Sequence, residues 1–219
     1  MNLDTLLLID ACGETAGVAV SRGAEIVAQE ELPRNGGSAG MVAAVGRVLH
    51  ITGCTLRDLA AIGVVSGPGS FTGVRVGLST AKGLCEAAGL PLVAVSRLEV
   101  LLDAASLTVG LAVLNAGRGE VYVREQGLEC EAREWLGTFE GIERSADGRP
   151  VVVAEQAVAE RLAGLHPVLR PLHACDALSA VLRGVARGAV DVAAVDAHYL
   201  RGQSDIYAKR NANAGTKPA

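Results

Sequence analysis

The sequence predicts an α/β protein in which a mixed β-sheet is covered by helices and the second half of the chain repeats the first. Two observations lead to this prediction. Short apolar runs alternate with helical patterns through the first 105 residues, and a later apolar run with its turn repeats the opening of the chain. The 219 residues suffice for one large domain or two small ones, and they can bury a core that needs no disulfide or structural metal.

The first half of the chain carries clear element boundaries. Three short apolar runs, separated by turns at Gly13 and Gly23, predict a three-stranded meander. Ser96 and Glu99 form a capping pattern that opens a helix. The predicted elements are strands at 6–9, 17–20, 26–28, 62–65 and 92–95, helices at Ala39–Ile51, Thr72–Ala88 and Leu98–Ala105, and a short helical turn opened by Thr55 and Asp58.

Residues 111–123 repeat the pattern of residues 6–20. In both segments an apolar run ends at a short carboxylate or amide, Asp10 or Asn115, and continues with alanine, a turn containing glycine and a β-branched strand. This repeat predicts a duplicated lobe, with two related halves facing one another across a cleft. A chance similarity between two hairpins is the alternative.

The pattern weakens beyond residue 125. A strand at 151–153 and helices at 156–163 and 177–187 are predicted. The charges between Glu140 and Arg149 indicate a solvated loop. The polar stretch that begins at Asn211 predicts a disordered tail.

Composition excludes several classes of function. With 20 Lys and Arg against 24 Asp and Glu, the net charge of −4 lacks the positive field that drives non-specific nucleic-acid binding. The five cysteines form no C-x-x-C pair, which argues against a disulfide framework, and the four histidines lack metal-site spacing. No export signal and no apolar stretch of about 20 residues is present, so we expect a cytoplasmic protein that does not span a membrane.

The segment from Ser66 to Gly73 is the most informative motif. A glycine-rich loop that leads from a strand into a helix exposes amides able to hold phosphate, but this loop is neither a Walker A motif nor a dinucleotide fingerprint. Small residues continue into the helix at every fourth position, as Gly69, Gly73, Gly77 and Ala81. Because glycine inside a helix costs about 1 kcal/mol relative to alanine, we interpret this row as a place where another backbone approaches closely.

The preceding helix is also unusual on its outer side. Its apolar half carries Met41 and Val45, whereas its other half is mostly small and barely polar, unlike the charged outer side of an ordinary surface helix. This pattern predicts contact with another chain through both helices. The alternative is that both helices are sandwiched within one core.

Asp10 has two possible roles. At the end of a strand that faces a cleft, its carboxylate would orient a metal-bound nucleotide. The side chain would equally cap the adjacent turn, and we favour this second interpretation.

These segments resemble the TsaB family, the non-catalytic partner subunit of the bacterial machinery that makes threonylcarbamoyladenosine next to the tRNA anticodon. The run from Ser66 to Gly77, Ser-Gly-Pro-Gly-Ser-Phe-Thr-Gly-Val-Arg-Val-Gly, is similar to the signature of that family. The motifs Val95–Glu99, Arg118–Tyr122 and Tyr199–Arg201 follow in the family's order. The larger catalytic paralogue, TsaD, instead has a Gly-Pro-Gly-Leu-type loop, a longer chain and a metal-binding histidine pair.

The resemblance implies an actin-like ATPase, sugar kinase and Hsp70 type of fold, built from two ribonuclease-H-like lobes of which the second is reduced. The implied division places the first lobe with the partner-binding helices at residues 1–106, the smaller lobe at 107–210 and the tail at 211–219.

The resemblance further implies an accessory subunit with no catalytic residue, cofactor or metal of its own. Such a subunit would bind and activate TsaD through a bundle of four helices, and the ATPase TsaE would bind the assembled pair. A homodimer is possible when the chain is alone, and tRNA would be contacted only indirectly. We expect Gly73→Leu to abolish association while the monomer stays folded. The residues expected at the interface are Met41, Val45, Gly73, Val74, Arg75, Gly77, Leu78 and Ala81.

Some positions depart from the family pattern. Ala11 and Cys12 replace hydroxyl-bearing residues after the first strand, Asn115 replaces an aspartate, and Ala197 stands where a proline is usual. The loss of the hydroxyls argues against nucleotide binding by this chain alone. The competing hypotheses are a free-standing nucleotide hydrolase or peptidase, and a homodimeric binding module unrelated to tRNA.

Overall fold

The structure is a computed structural model that describes residues 5–33, 37–128, 131–188 and 192–201. The strands are β1 (Thr5–Asp10), β2 (Ala16–Arg22), β3 (Glu25–Leu32), β4 (Ala61–Val65), β5 (Leu92–Val95), β6 (Gly110–Gly117), β7 (Glu120–Gln126), β8 (Arg133–Thr138), β9 (Val151–Val153) and β10 (Val168–Leu169). The helices are α1 (Gly37–Thr52), α2 (Phe71–Ala88), α3 (Arg97–Ala104), α4 (Phe139–Ser145), α5 (Gln156–Arg161) and α6 (Leu178–Arg187).

The strands form two mixed sheets of the same topology. The first sheet has the order β3-β2-β1-β4-β5, and the second has the corresponding order β8-β7-β6-β9-β10. In each sheet the first strand of the lobe pairs antiparallel with the next strand along the chain and parallel with the fourth. The duplication predicted from the two hairpins is therefore confirmed, and chance similarity is excluded.

The second sheet is the smaller of the two. Its last two strands, β9 and β10, have three and two residues, whereas their counterparts β4 and β5 have five and four. Long apolar strands buried on both faces form the centre of the first lobe, and β1 and β4 are buried along their whole length.

Both faces of the first sheet are covered by helices. α1 packs on β2 and β3 and against α2, which lies on β4 and β1. α6 packs on β5 and β4 from the other face, where Val181 lies over the Cα of Gly63. Neighbouring residues of a strand point to opposite faces, so Val64 meets α2 while Gly63 meets α6.

The chain returns to the first lobe after the second sheet. The 3₁₀ turn Ala174–Ala177 contributes Ala174 and Ala177, and α6 contributes Leu178 and Val181, to the core that β1 and β4 build. The division of the chain at residue 106 separates the two sheets, and as a domain boundary it stays a prediction. The predicted tail, 211–219, lies outside the described residues.

The prediction of a loop between Glu140 and Arg149 is wrong over its first part. Residues 139–145 form α4, which the Thr138 hydroxyl caps by accepting a hydrogen bond from the amide of Gly141 (3.2 Å). Phe139 and Ile142, three residues apart, are buried beneath exposed charges. Two apolar residues gave too weak a periodic signal for a helix to be predicted.

In the part of the chain that the structure describes, no helix is both long and apolar enough to cross a lipid bilayer.

Candidate docking surface and interlobe cleft

The loop between β4 and α2, residues 66–70, is held against the turn between β1 and β2. The amide of Ser70 donates a hydrogen bond to the carbonyl oxygen of Cys12 (2.9 Å). The Ser70 hydroxyl caps α2 by accepting a hydrogen bond from the amide of Gly73 (3.3 Å). The N-terminus of α2 is therefore positioned by contacts within the chain.

Gly73 permits a close approach between two backbones of the same chain. A Cβ atom at this position would overlap the carbonyl oxygen of Ala11, and one at Gly77 would lie 3.6 Å from the Ala11 Cβ. The expectation that the small-residue row admits another molecule is corrected at Gly73, because the turn after β1 already occupies that space. For the same reason we expect Gly73→Leu to destabilise the monomer itself, in contrast to the expectation from the sequence that the monomer stays folded.

Most of the eight predicted interface residues are buried within the folded protein. Gly73 is half-buried and Arg75 is exposed. Six pack within the first lobe, and these are Met41, Val45, Val74, Gly77, Leu78 and Ala81. An interface through α1 and α2 stays a prediction, but the side chains that these helices offer to a partner are their exposed neighbours.

The exposed sides of α1 and α2 form what we call the docking surface. Val42 is 51% exposed and Phe71 is 54% exposed, although both are large apolar residues. Ile51, near the end of α1, is 73% exposed. The docking surface comprises Ala39, Val42, Ala43, Gly46, His50, Ile51, Phe71, Thr72, Arg75 and Ser79.

A cavity of about 310 Å³ opens between the N-terminal ends of α1 and α2. Leu32, Met41 and Val76 contribute apolar atoms to its wall, and Ser70 and Thr72 contribute polar ones. The cavity adjoins the docking surface, so it offers a place for a side chain of a docked partner.

Phe71 and Arg75 form a cluster with Tyr199 from the C-terminal part of the chain. The Arg75 guanidinium carbon lies 3.7 Å from the centre of the Phe71 ring, and its Nε donates a hydrogen bond to the Tyr199 hydroxyl (3.1 Å). The two aromatic rings stack with their centres 6.0 Å apart. One edge of the docking surface is thus built by residues 124 positions apart in the sequence.

Glu134 on β8 joins the second lobe to the first. Its carboxylate accepts hydrogen bonds from the Ser96 hydroxyl (2.7 Å) and from Arg124 (2.7 Å), and it lies 2.6 Å from Nε2 of His198. Burial acts to raise the pKa of Glu134, but the hydrogen bonds from His198, Ser96 and Arg124 outweigh it and hold that pKa below its ordinary value.

A cleft of about 260 Å³ separates the two lobes at the ends of β1 and β6. Arg97, only 6% exposed, lines the cleft and forms an ion pair with Glu155 (3.2 Å). The wall of the cleft also carries the carboxylates of Glu14 and Glu155, which outnumber the single guanidinium. The charge of the cleft wall therefore does not favour the binding of a polyphosphate. Among the described residues, no group of His, Cys, Asp and Glu side chains is placed to hold a metal ion.

Asp10 and Asn115 cap the corresponding turns of the two lobes. Oδ1 of Asp10 accepts a hydrogen bond from the amide of Cys12, and Oδ1 of Asn115 accepts one from the amide of Gly117, each at 2.8 Å. The carboxylate in one lobe and the amide in the other therefore have the same structural role, which is the capping role favoured for Asp10.

Asp10→Asn is expected to stabilise the protein at neutral pH. Burial raises the pKa of Asp10, although Arg97 and the Cys12 amide act to lower it. The ionised form of Asp10 is therefore less favourable in the folded protein than in the unfolded chain, and this lowers the free energy of unfolding at neutral pH. Asparagine keeps the capping oxygen, as Asn115 does. Because the folded pKa is raised, the unfolding free energy of wild type should fall, relative to the variant, as pH rises from about 4 to 7.

Urea unfolding of both proteins across that pH range measures the difference. A constant difference between them would contradict the raised pKa. A lower stability of the variant at pH 7 would indicate that the carboxylate is needed to neutralise Arg97.

Some of these residues lie in motifs that are apparent from the sequence, and others do not. Ser96, Arg97 and Tyr199 lie in motifs singled out from the sequence. Of these three, Arg97 lines the interlobe cleft, whereas Ser96 meets Glu134 and Tyr199 meets Arg75 at the edge of the docking surface. Glu134 and Glu155 were missed because each lies in a segment without a motif. The contacts of Glu134 are long-range and leave no local sequence pattern. Ser96 lies 38 positions before Glu134 in the sequence, and His198 lies 64 positions after it.

Comparison with known proteins places this chain among relatives from bacteria. The family model described as "TsaD: tRNA N6-adenosine threonylcarbamoyltransferase" matches residues 38–134. The Escherichia coli (strain K12) protein named "tRNA threonylcarbamoyladenosine biosynthesis protein TsaB" is 34% identical over 155 residues, which are 69% of this chain and 65% of that protein. The protein of the same name from Bacillus subtilis (strain 168) is 37% identical over 54% of this chain and 53% of its own length. The alignments thus span less than two thirds of these relatives.

A solved structure extends the comparison to most of the chain. The crystal structure of an uncharacterized protein from Pseudomonas aeruginosa, described as similar to the peptidase YeaZ, superposes with a TM-score of 0.73 at 26% identity. The superposition covers 90% of this chain and all of that one. Together with the two sheets of equal order, it confirms the expected fold of two actin-like lobes.

Proposed function

Because this chain belongs to the TsaB family, we propose that it is a partner subunit in the synthesis of threonylcarbamoyladenosine in tRNA, and that it binds and activates TsaD through the docking surface on α1 and α2. The relatives that carry the TsaB name are described as proteins of this biosynthesis. The partner role rests on the two helices α1 and α2.

The exposure of large apolar side chains on α1 and α2 is the observation that carries the proposal. Val42, Ile51 and Phe71 are each more than half exposed, and the exposed side of α1 also carries the small residues Ala39, Ala43 and Gly46, which let a second helix approach. Arg47 on the same helix is neutralised by an ion pair with Glu30 (Nε–Oε2 2.9 Å). A helix pair of this kind gains free energy when an apolar surface covers it.

The match to the TsaD model favours TsaD as the molecule that covers these helices. The match covers residues 38–134, which span α1 and α2, so TsaD is expected to carry a related helix pair. Two related surfaces can pack about an approximate twofold axis, so that the helix pair of one chain contacts the equivalent helix pair of the other. The result would be a bundle of four helices, and a homodimer of this chain would use the same surface in the absence of TsaD.

A non-catalytic role agrees with the chemistry at the lobe interface. Ser96, Glu134 and His198 are the three residue types of a serine hydrolase, but Glu134 lies between the other two, so no histidine accepts the Ser96 proton. The negative net charge favours indirect contact with tRNA. TsaE, an ATPase, would bind the assembled pair, and the complex would act in the cytoplasm.

Reconstitution with TsaD and TsaE from the same organism tests the proposal. We expect the wild-type chain to co-elute with TsaD in size-exclusion chromatography, and we expect tRNA modification to require both chains. Equal modification without this chain, or separate elution at micromolar concentrations, would refute the partner role. Turnover of nucleotide or peptide by the purified chain alone would favour the competing enzymatic hypothesis.

A further inference from the structure

Residues 195–201, at the end of the last described segment, run as an irregular chain from the first lobe to the second. Val195 is buried in the core of the first lobe, and Ala197 and Leu200 pack against that core. The amide of His198 donates a hydrogen bond to the carbonyl oxygen of Ser66 (2.8 Å), at the start of the loop that leads into α2. We call residues 195–201 the C-terminal strap.

The strap contacts the docking surface at one point. The hydroxyl of Tyr199 accepts the hydrogen bond from Arg75 Nε, while its ring stacks on Phe71. Arg75 in turn lies over the face of Phe71. The position of Phe71, the most exposed apolar side chain of the first turn of α2, is therefore supported by the strap.

The strap contacts the second lobe at two other points. His198 lies 2.6 Å from Glu134 of β8. Arg201 donates a hydrogen bond to the carbonyl oxygen of Ala116 (3.0 Å) and forms an ion pair with Glu120 (2.7 Å), at the turn between β6 and β7. This ion pair is largely shielded from solvent, with side-chain exposures of 12% and 22%, so it is held more firmly than a surface pair.

These contacts join two distant surfaces through a short piece of chain. Tyr199 and Arg201 are two residues apart, so at most about 7 Å of extended backbone separates the contact on α2 from the contact on the second lobe. Because so little backbone lies between the two contacts, a movement of the β6–β7 turn that carries Arg201 with it is transmitted to Tyr199. We propose that the C-terminal strap couples the orientation of the second lobe to the docking surface, by holding Phe71 and Arg75 in the arrangement that TsaD binds.

The coupling would regulate the proposed partner site, and in this respect it rests on the proposed function. A partner that binds the ordered arrangement of Phe71 and Arg75 favours one orientation of the lobes. Coupling of this kind is reciprocal. A ligand that opens the interlobe cleft weakens TsaD binding by the same factor by which TsaD weakens the binding of that ligand. The strap thus gives the cleft, which lies away from α1, an influence on the docking surface.

Arg201→Gln tests the coupling, because it removes the contacts of Arg201 on the second lobe and replaces no residue of the docking surface. In the isolated full chain we expect amide hydrogen exchange across residues 71–75 to become about fivefold faster. We expect the affinity for TsaD to fall about tenfold, within the usual range of coupling between sites. The matched control is Arg161→Gln, since Arg161 lies on α5 of the same lobe and its ion-pair distance to Glu140 is 3.9 Å, with both side chains exposed.

A second variant keeps the test decisive if Arg201→Gln lowers the yield of folded protein. Tyr199→Phe removes the hydroxyl that Arg75 contacts and keeps the ring, and it should accelerate exchange across residues 71–75 in the same way. Exchange within twofold of wild type in the folded variants would overturn the coupling, as would an equal effect of Arg161→Gln. Failure of the wild-type chain to bind TsaD would refute the proposed function, whereas the exchange comparison does not involve TsaD and decides the coupling separately.

Discussion

Gly73→Ala is expected to lower the free energy of unfolding by about 3 kcal/mol, near the upper end of the usual cost of overpacking. Alanine is normally the better helix former, so helix propensity alone would predict the opposite sign. The Cβ of the new residue would overlap the carbonyl oxygen of Ala11, which belongs to backbone and cannot rotate away. Either α2 or the turn after β1 must shift, and the hydrogen bond from Ser70 to Cys12 ties these two segments together.

Gly83→Ala in the same helix is the matched control. Apart from the neighbouring backbone of α2 itself, no atom lies within 4 Å of the position that a Cβ at Gly83 would take. This substitution should therefore raise the unfolding free energy by about 0.5–1 kcal/mol through helix propensity and unfolded-state entropy. Urea denaturation with a common slope measures both variants. If Gly73→Ala proved as stable as Gly83→Ala, the packing of α2 against the turn after β1 would be wrong.

Val42→Glu is expected to weaken the binding of TsaD about 100-fold, which corresponds to about 2.7 kcal/mol. In a bundle of helices the new carboxylate would be buried without a partner, and desolvation of an unpaired charge opposes association. The isolated chain should keep its stability to within about 0.5 kcal/mol, because Val42 is 51% exposed in the free protein. Calorimetric titration with TsaD and thermal unfolding of the free chain measure the two effects.

Val168→Glu provides the control for charge and exposure. Val168 is 50% exposed and lies on β10 of the second sheet, away from α1 and α2, so its substitution should leave the affinity for TsaD unaltered. Equal weakening by both variants would assign the effect to net charge, and wild-type affinity of Val42→Glu would remove α1 from the docking surface. If this chain also forms a homodimer, Val42→Glu should dissociate it.

The two sides of α1 show what the sequence can and cannot indicate about an interface. Periodicity separated Met41 and Val45 from the barely polar side that carries Ala43 and Gly46, and the structure exposes Ala43 and Gly46. The prediction then assigned Met41 and Val45 to the interface, although both pack inside the lobe. A pattern of apolar and small residues states that two sides of a helix differ, but it does not state which molecule covers each side.

Contacts between distant segments were outside the reach of the sequence. Glu134 lies in a stretch without a recognisable motif, and its hydrogen bonds to Ser96 and His198 depend on the meeting of β8, α3 and the C-terminal strap. The return of α6 to the first sheet likewise leaves no mark in local periodicity.

The element order of the first lobe, its repetition in the second, and the likeness to the TsaB family can be read from the amino-acid sequence alone, because these depend on local periodicity, turn residues and motif order. Three facts emerge only from the folded chain: Gly73 meets Ala11 of the same chain, Val42 and Phe71 rather than Met41 and Val45 face outward, and residues 195–201 join the two lobes. These facts depend on which segments lie side by side after folding, and hydrophobic periodicity carries no information about the identity of a neighbour.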